Sequence, residues 1–168
     1  MEGKNARYFL AFCVTVVMGI ALQCMSWELP SPLTEVLVPA SSSPWEQGKL
    51  CYWPYMAGAL LLWRMGDKGD SRGGHCALLL LMPLLMVLFC YFGQITTRQG
   101  IILAWLAVLV LGITLYGLVL RRWLWGGELL WYTLAILLGI AYLMLTALPP
   151  SGGIFDEIIA VPTLAIPV

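Results

Sequence analysis

Pro39-Ala40-Ser41-Ser42-Ser43-Pro44-Trp45-Glu46-Gln47-Gly48-Lys49-Leu50-Cys51-Tyr52-Trp53-Pro54 is the one run of this chain that combines helix-start chemistry, paired charges and aromatic rings. Ser43 at an N-cap, Pro44 at the first helical position and Glu46 at the third predict a helix opened by a capping box. Lys49 follows Glu46 by three residues, on the same helical face, so an ion pair is the default expectation. Pro54 lies ten residues into that helix. There it removes one backbone hydrogen bond and bends the axis, a defect that a membrane bundle tolerates when a neighbour covers the freed carbonyl.

Outward from this run the chain is mostly hydrocarbon. Of its 168 residues 61% are hydrophobic and 11% charged, against roughly 25% charged in an average soluble domain. A water-soluble domain of this size has no interior large enough to hide so much apolar side chain. The expected class is an all-α integral membrane protein. Five spans are expected, at about 8–26, 44–63, 76–93, 100–120 and 129–148, with a Pro/Ser-rich loop over 27–43 and a non-spanning tail over 149–168. Residues 8–26 lack the small-x-small pattern of a cleavage site, and Gln23 before Cys24 spoils a lipoprotein site, so they read as a retained span. Within that span Ala11, Thr15, Gly19 and Gln23 recur every fourth residue, a small-residue face suited to helix packing. No internal repeat is visible, so an inverted-repeat transporter architecture gets no support.

Charge orients the bundle. With the N-terminus cytoplasmic, the inner segments hold Lys4, Arg7, Arg64, Lys68, Arg72, Arg121 and Arg122, seven of the nine basic residues, and leave Lys49 and Arg98 outside. The acids Glu28, Glu35, Glu46, Asp156 and Glu157 fall on the outer face. The formal net charge is zero, so no basic field favours nucleic acid. The tail from Ile154 is apolar but interrupted by Pro162 and Pro167, and it is expected to dock beside the Pro39 to Pro54 run, bringing Asp156 and Glu157 near Lys49 or Arg98.

Chemical constellations are sparse. Cys13, Cys24, Cys51, Cys76 and Cys90 form no C-x-x-C pair, although Cys24 and Cys51 both lie toward the outer side, and their pairing is left open. The single histidine, His75, falls in the glycine-rich stretch from Arg64 to His75, read as a cytoplasmic loop. No metal site, cofactor motif or catalytic motif is expected, and the inner halves of the spans hold no ionisable pathway.

The residues Ser43, Trp45, Glu46, Lys49, Leu50 and Pro54, with Pro39 upstream, resemble the signature P-x-N-E-S-x-W-E-H-x-K-L-x-x-x-P of small multi-pass bacterial membrane proteins grouped as domain-of-unknown-function family 6512. The likeness extends to the span pattern and to a tail with Pro149, Pro150, Phe155 and Asp156. Ser41 and Ser42 stand where the family has Asn-Glu, Gln47 stands where it has His, and Gln23 matches the place of a second family His. If those two histidines form a metal or proton site, this chain lacks its ligands. The resemblance implies a bacterial cytoplasmic membrane and brings no assigned activity.

Two functional readings follow. In the first, the chain is a non-enzymatic binding or assembly module. Gln23, Trp45, Glu46, Gln47, Lys49 and Gln94 line an outward polar pocket, with Pro39, Ser43, Pro44 and Pro54 as its structural frame. A membrane lipid, a second copy or a partner membrane protein is expected on the small-residue face of the first span and on Ala135 and Gly139 of the fifth. In the second, the chain is a small transporter or oligomeric channel with its entry near Glu46 and Lys49.

Overall fold

The computed structural model describes residues 2–28, 34–39, 41–65, 72–95, 97–116, 118, 128–148 and 150–156. Among these the chain is helical, without a strand: α1 (Glu2–Glu28), α2 (Thr34–Leu37), α3 (Pro44–Gln47), α4 (Lys49–Arg64), α5 (Arg72–Gly93), α6 (Arg98–Leu115), α7 (Glu128–Ala147) and a 3-10 turn at Gly153–Phe155. Four of them, α1 over Ala6–Met25 together with α5, α6 and α7, are long and apolar enough to cross a membrane. Gly48 joins α3 to α4 in right-handed helical geometry, φ −59° and ψ −28°, so the chain winds on from Pro44 to Arg64 with only a local irregularity.

The helix α5 is central, packing against α3, α4, α6 and α7. Its buried stripe, His75, Leu78, Leu79, Met82, Met86 and Cys90, recurs at three- and four-residue spacing, as a helix face must. This helix starts at Arg72, four residues before the expected boundary, and that start carries His75 out of the expected loop and into the core at 3% exposure. The expected fourth span extended to 120, whereas α6 ends at Leu115; 117 and 119–127, with Arg121 and Arg122, lie outside the described residues, as do Lys68 and the tail beyond Asp156.

The every-fourth face of α1 is used within the chain. Ala11, Thr15, Gly19 and Gln23 are all buried, and α1 packs along α4. A Cβ on Gly58 of α4 would lie 2.2 Å from Thr15 Oγ1, so only glycine lets the two helices approach this closely. The Thr15 hydroxyl donates to the Ala11 carbonyl at 2.9 Å, so its own polar demand is met within α1. At Thr15 and Gly19 this face is spent on contacts inside the chain, while Ala11 and Thr15 also border an open cleft.

Ala135 and Gly139 of α7 are likewise occupied. Tyr52 of α4 lays its hydroxyl over Gly139, where a Cβ would come within 2.5 Å, and donates to the Ala135 carbonyl at 2.8 Å. With Tyr142 they form the buried edge of a helix otherwise largely exposed to its surroundings.

Pro54 explains a third contact. Its missing N–H leaves the Leu50 carbonyl without its helical donor. The Trp105 indole N–H of α6 donates to that carbonyl at 2.9 Å. The same ring lies on Gly19, where a Cβ would sit 2.1 Å from the ring edge, so one tryptophan satisfies α4 and wedges against α1.

Candidate functional site

The run from Pro39 to Pro54 folds as a closed plug at one end of the bundle. Ser43, extended at φ −63° and ψ 142°, accepts from the Glu46 backbone N–H and starts α3. Lys49 is wholly buried, and its ammonium donates to the Glu46 carboxylate at 2.5 Å and to the Glu35 carbonyl at 2.9 Å. The second bond places a cation on a carbonyl of the single-turn α2 and so ties the preceding loop to the start of α4. Gln47 donates to the Ser41 carbonyl at 3.2 Å. An ammonium taken out of water without a partner is too costly to keep charged, so the ion pair and the carbonyl are what make a buried Lys49 tenable.

Aromatic rings seal the plug. Trp45 packs on Tyr142 at 4.7 Å and on Phe155 at 5.4 Å between ring centroids. The Tyr142 hydroxyl rests on Gly48, where a Cβ would fall 2.1 Å away. The first turn of the tail thus docks beside the signature run. The acid contact expected there is different: Asp156 turns back and accepts from the Gly152 N–H at 2.8 Å, while Lys49 is engaged by Glu46.

Of the six residues expected to line an outward pocket, Gln23, Glu46, Gln47 and Lys49 are buried at this end and Trp45 is half-buried. Gln94 is not with them. It is exposed at φ 45°, the left-handed stop after α5, and the next residue, Ile95, donates its N–H back to the Cys90 carbonyl at 3.2 Å. The capping box is also only half formed. Glu46 reaches forward to Lys49, and the Ser43 N–H donates to Ser41 Oγ instead. Cys24 and Cys51 are both free, one exposed and one in the core.

A second site lies toward the opposite end, at His75. Its Nδ1 is 2.7 Å from the Tyr55 hydroxyl, and its ring stacks on Tyr116 with centroids 4.3 Å apart and planes 21° from parallel. Beside this trio a cleft of about 580 Å³ opens between α1 and α6, floored by α4 and α5. That volume falls in the range of small-molecule sites, roughly 300–1,000 Å³. Two helices line it at identical spacing: Tyr8, Ala11, Phe12 and Thr15 on α1, and Tyr55, Gly58, Ala59 and Leu62 on α4. The i, i+3, i+4, i+7 register makes it a groove parallel to the helices, about two turns or roughly 11 Å long.

The groove is chemically plain. Thr15 and Thr114 donate to carbonyls of their own helices, at 2.9 and 2.7 Å, and the Tyr55 hydroxyl is paired with His75. Most of what remains facing the space is hydrocarbon and aromatic surface, with the Tyr8 side chain and its buried hydroxyl also in the wall. Its lips are apolar too, with Phe9 67% and Val110 62% exposed. Among the described residues no three His, Cys, Asp or Glu side chains cluster as a metal ion would need.

No protein-family model, curated protein or solved structure matches this chain.

The His75 site was hidden by Gly73 and Gly74, poor helix formers that read as loop beside a charged segment. One signal pointed the other way. Extending the α5 stripe back from Leu79 and Leu78 by one turn lands on His75.

Proposed function

We propose that this chain is a non-enzymatic, five-span membrane protein that holds a lipid hydrocarbon chain in the cleft beside His75. The observation that carries the reading is the cleft itself: a groove of about 580 Å³ with apolar lips, opening sideways between two long apolar helices. The hydroxyls of Thr15, Thr114 and Tyr55 have partners within the protein and most of the lining is apolar, which favours hydrocarbon as the occupant.

A fifth crossing by α3 and α4 is supported by their joint run from Pro44 to Arg64, which at 1.5 Å per residue reaches about 30 Å, the thickness of a bilayer core. Placing the His75 end on the cytoplasmic side follows from the basic residues in its connecting segments, and a bacterial cytoplasmic membrane and kinship with family 6512 rest on the quoted signature. The transport reading finds no support at Glu46 and Lys49, where the two charges are buried against each other beneath packed aromatic rings.

Native mass spectrometry of the detergent-released protein tests this. The wild-type chain is expected to retain a bound lipid that Val110→Trp, which fills the groove from its exposed lip, releases. Equal lipid retention by the two proteins would refute the site.

A further inference from the structure

The groove has two unlike ends. Gly58 lies on Thr15, so α1 and α4 close against each other at that level. At the other end stands Arg7, next to the lining residue Tyr8 and eight residues before Thr15, which is about 12 Å along α1. The Arg7 guanidinium donates through Nη1 to the Met65 carbonyl at 3.0 Å, which holds it at the end of α4 while the side chain stays exposed. A guanidinium carries five N–H donors in a planar fork suited to phosphate. Here one is used to fix its position. The groove therefore offers a hydrocarbon slot closed at one end and a positioned cation at the other.

The surrounding charge agrees. The described helix ends here carry Lys4, Arg7, Arg64 and Arg72 against Glu2 and Glu128, a surplus of positive charge in the sequence. Basic residues flanking membrane helices favour anionic lipid headgroups.

Building on the lipid-chain reading above, we infer that the occupant is an anionic glycerophospholipid, its acyl chain along the groove toward Thr15 and its phosphate against Arg7. A zwitterionic lipid of the same chain length fits the slot equally and gains less at its mouth, so Arg7 sets headgroup preference while the groove sets affinity for the chain.

The test uses the full-length protein in nanodiscs of equimolar dioleoyl phosphatidylglycerol and dioleoyl phosphatidylcholine, with retained lipid counted by native mass spectrometry after release. Wild-type protein is expected to retain phosphatidylglycerol preferentially. Arg7→Gln is expected to lower its retention about fivefold, the size of one juxtamembrane charge, with phosphatidylcholine unchanged, and Arg7→Lys to keep most of the preference. An unchanged lipid ratio in Arg7→Gln, with Val110→Trp still lowering both lipids, overturns the headgroup inference and leaves the groove in place. A Val110→Trp protein that retains both lipids as the wild type does overturns the groove reading and the inference with it.

Discussion

The Lys49 end and the His75 end of this bundle each bury one ionisable side chain, and they bury it to opposite effect. At the first, the ammonium is covered on all sides and held by a carboxylate and a carbonyl, and the neighbouring rings Trp45, Tyr142 and Phe155 close over it. At the second, the imidazole is paired and stacked just as fully, yet the helices beside it part and leave a groove. Charge at one end serves closure. Aromatic pairing at the other serves to keep an open wall apolar. A run rich in chemistry can thus be architecture, while a plainer, mostly apolar surface frames the open cleft.

The largest test of that contrast is the ion pair. Removing one partner, as in Lys49→Met, strands a buried carboxylate and is expected to destabilise the protein by about 3–5 kcal/mol. The double variant Glu46→Gln/Lys49→Met is expected to recover most of that loss. Urea or SDS unfolding monitored by tryptophan fluorescence reads both. A Lys49→Met protein as stable as the wild type would mean the end is wet and open.

Next in size is the Trp105 wedge. Trp105→Phe removes the donor to the Leu50 carbonyl and is expected to cost about 1–3 kcal/mol. Adding Pro54→Ala supplies the missing helical N–H, so the double variant is expected to be more stable than Trp105→Phe alone. Strict additivity in this cycle would show that the freed carbonyl is not what the indole serves.

Gly48→Ala probes the seal itself. The new methyl meets the Tyr142 hydroxyl, and overpacking of this kind costs about 1–3 kcal/mol. A change at the groove lip is expected to act differently: Val110→Trp, on an exposed position, should move stability by no more than about 0.5 kcal/mol while displacing lipid. Smallest of all, only Cys24, exposed near the end of α1, is expected to react with a maleimide in the folded protein, Cys13 lying mid-span. Cys51, Cys76 and Cys90 should react only after unfolding.

Much of the helix packing was legible from residue spacing. The small face of α1 announces close contact because Ala11, Thr15, Gly19 and Gln23 fall on one line, and Ser43-Pro44 announces a helix start because each supplies what a first turn needs. Pro54 even implied a neighbouring donor, though which side chain reaches it depends on tertiary placement that no local pattern encodes. The partner of a small-residue face is equally invisible: Gly139 is the same residue whether covered by Tyr52 of its own chain or by another copy. Glu46 had two suitors, its own helix start and Lys49, and burial of the ammonium decided between them. Gln94 resembled the other outer glutamines by position, but its left-handed backbone makes it a helix stop. The groove was unreadable because a cleft is a gap between helices distant in sequence, and its one conspicuous residue sat behind two glycines.

The most direct measurement is photocrosslinking in nanodiscs with a phospholipid bearing a diazirine on its acyl chain, mapped by peptide mass spectrometry. Labels concentrated on Phe9 to Phe12 of α1 and Val110 to Ile113 of α6, above the level on the broadly exposed α7, are expected from a lipid held at the His75 groove. Equal labelling of α7, or labels gathered on Trp45 to Lys49, would contradict it.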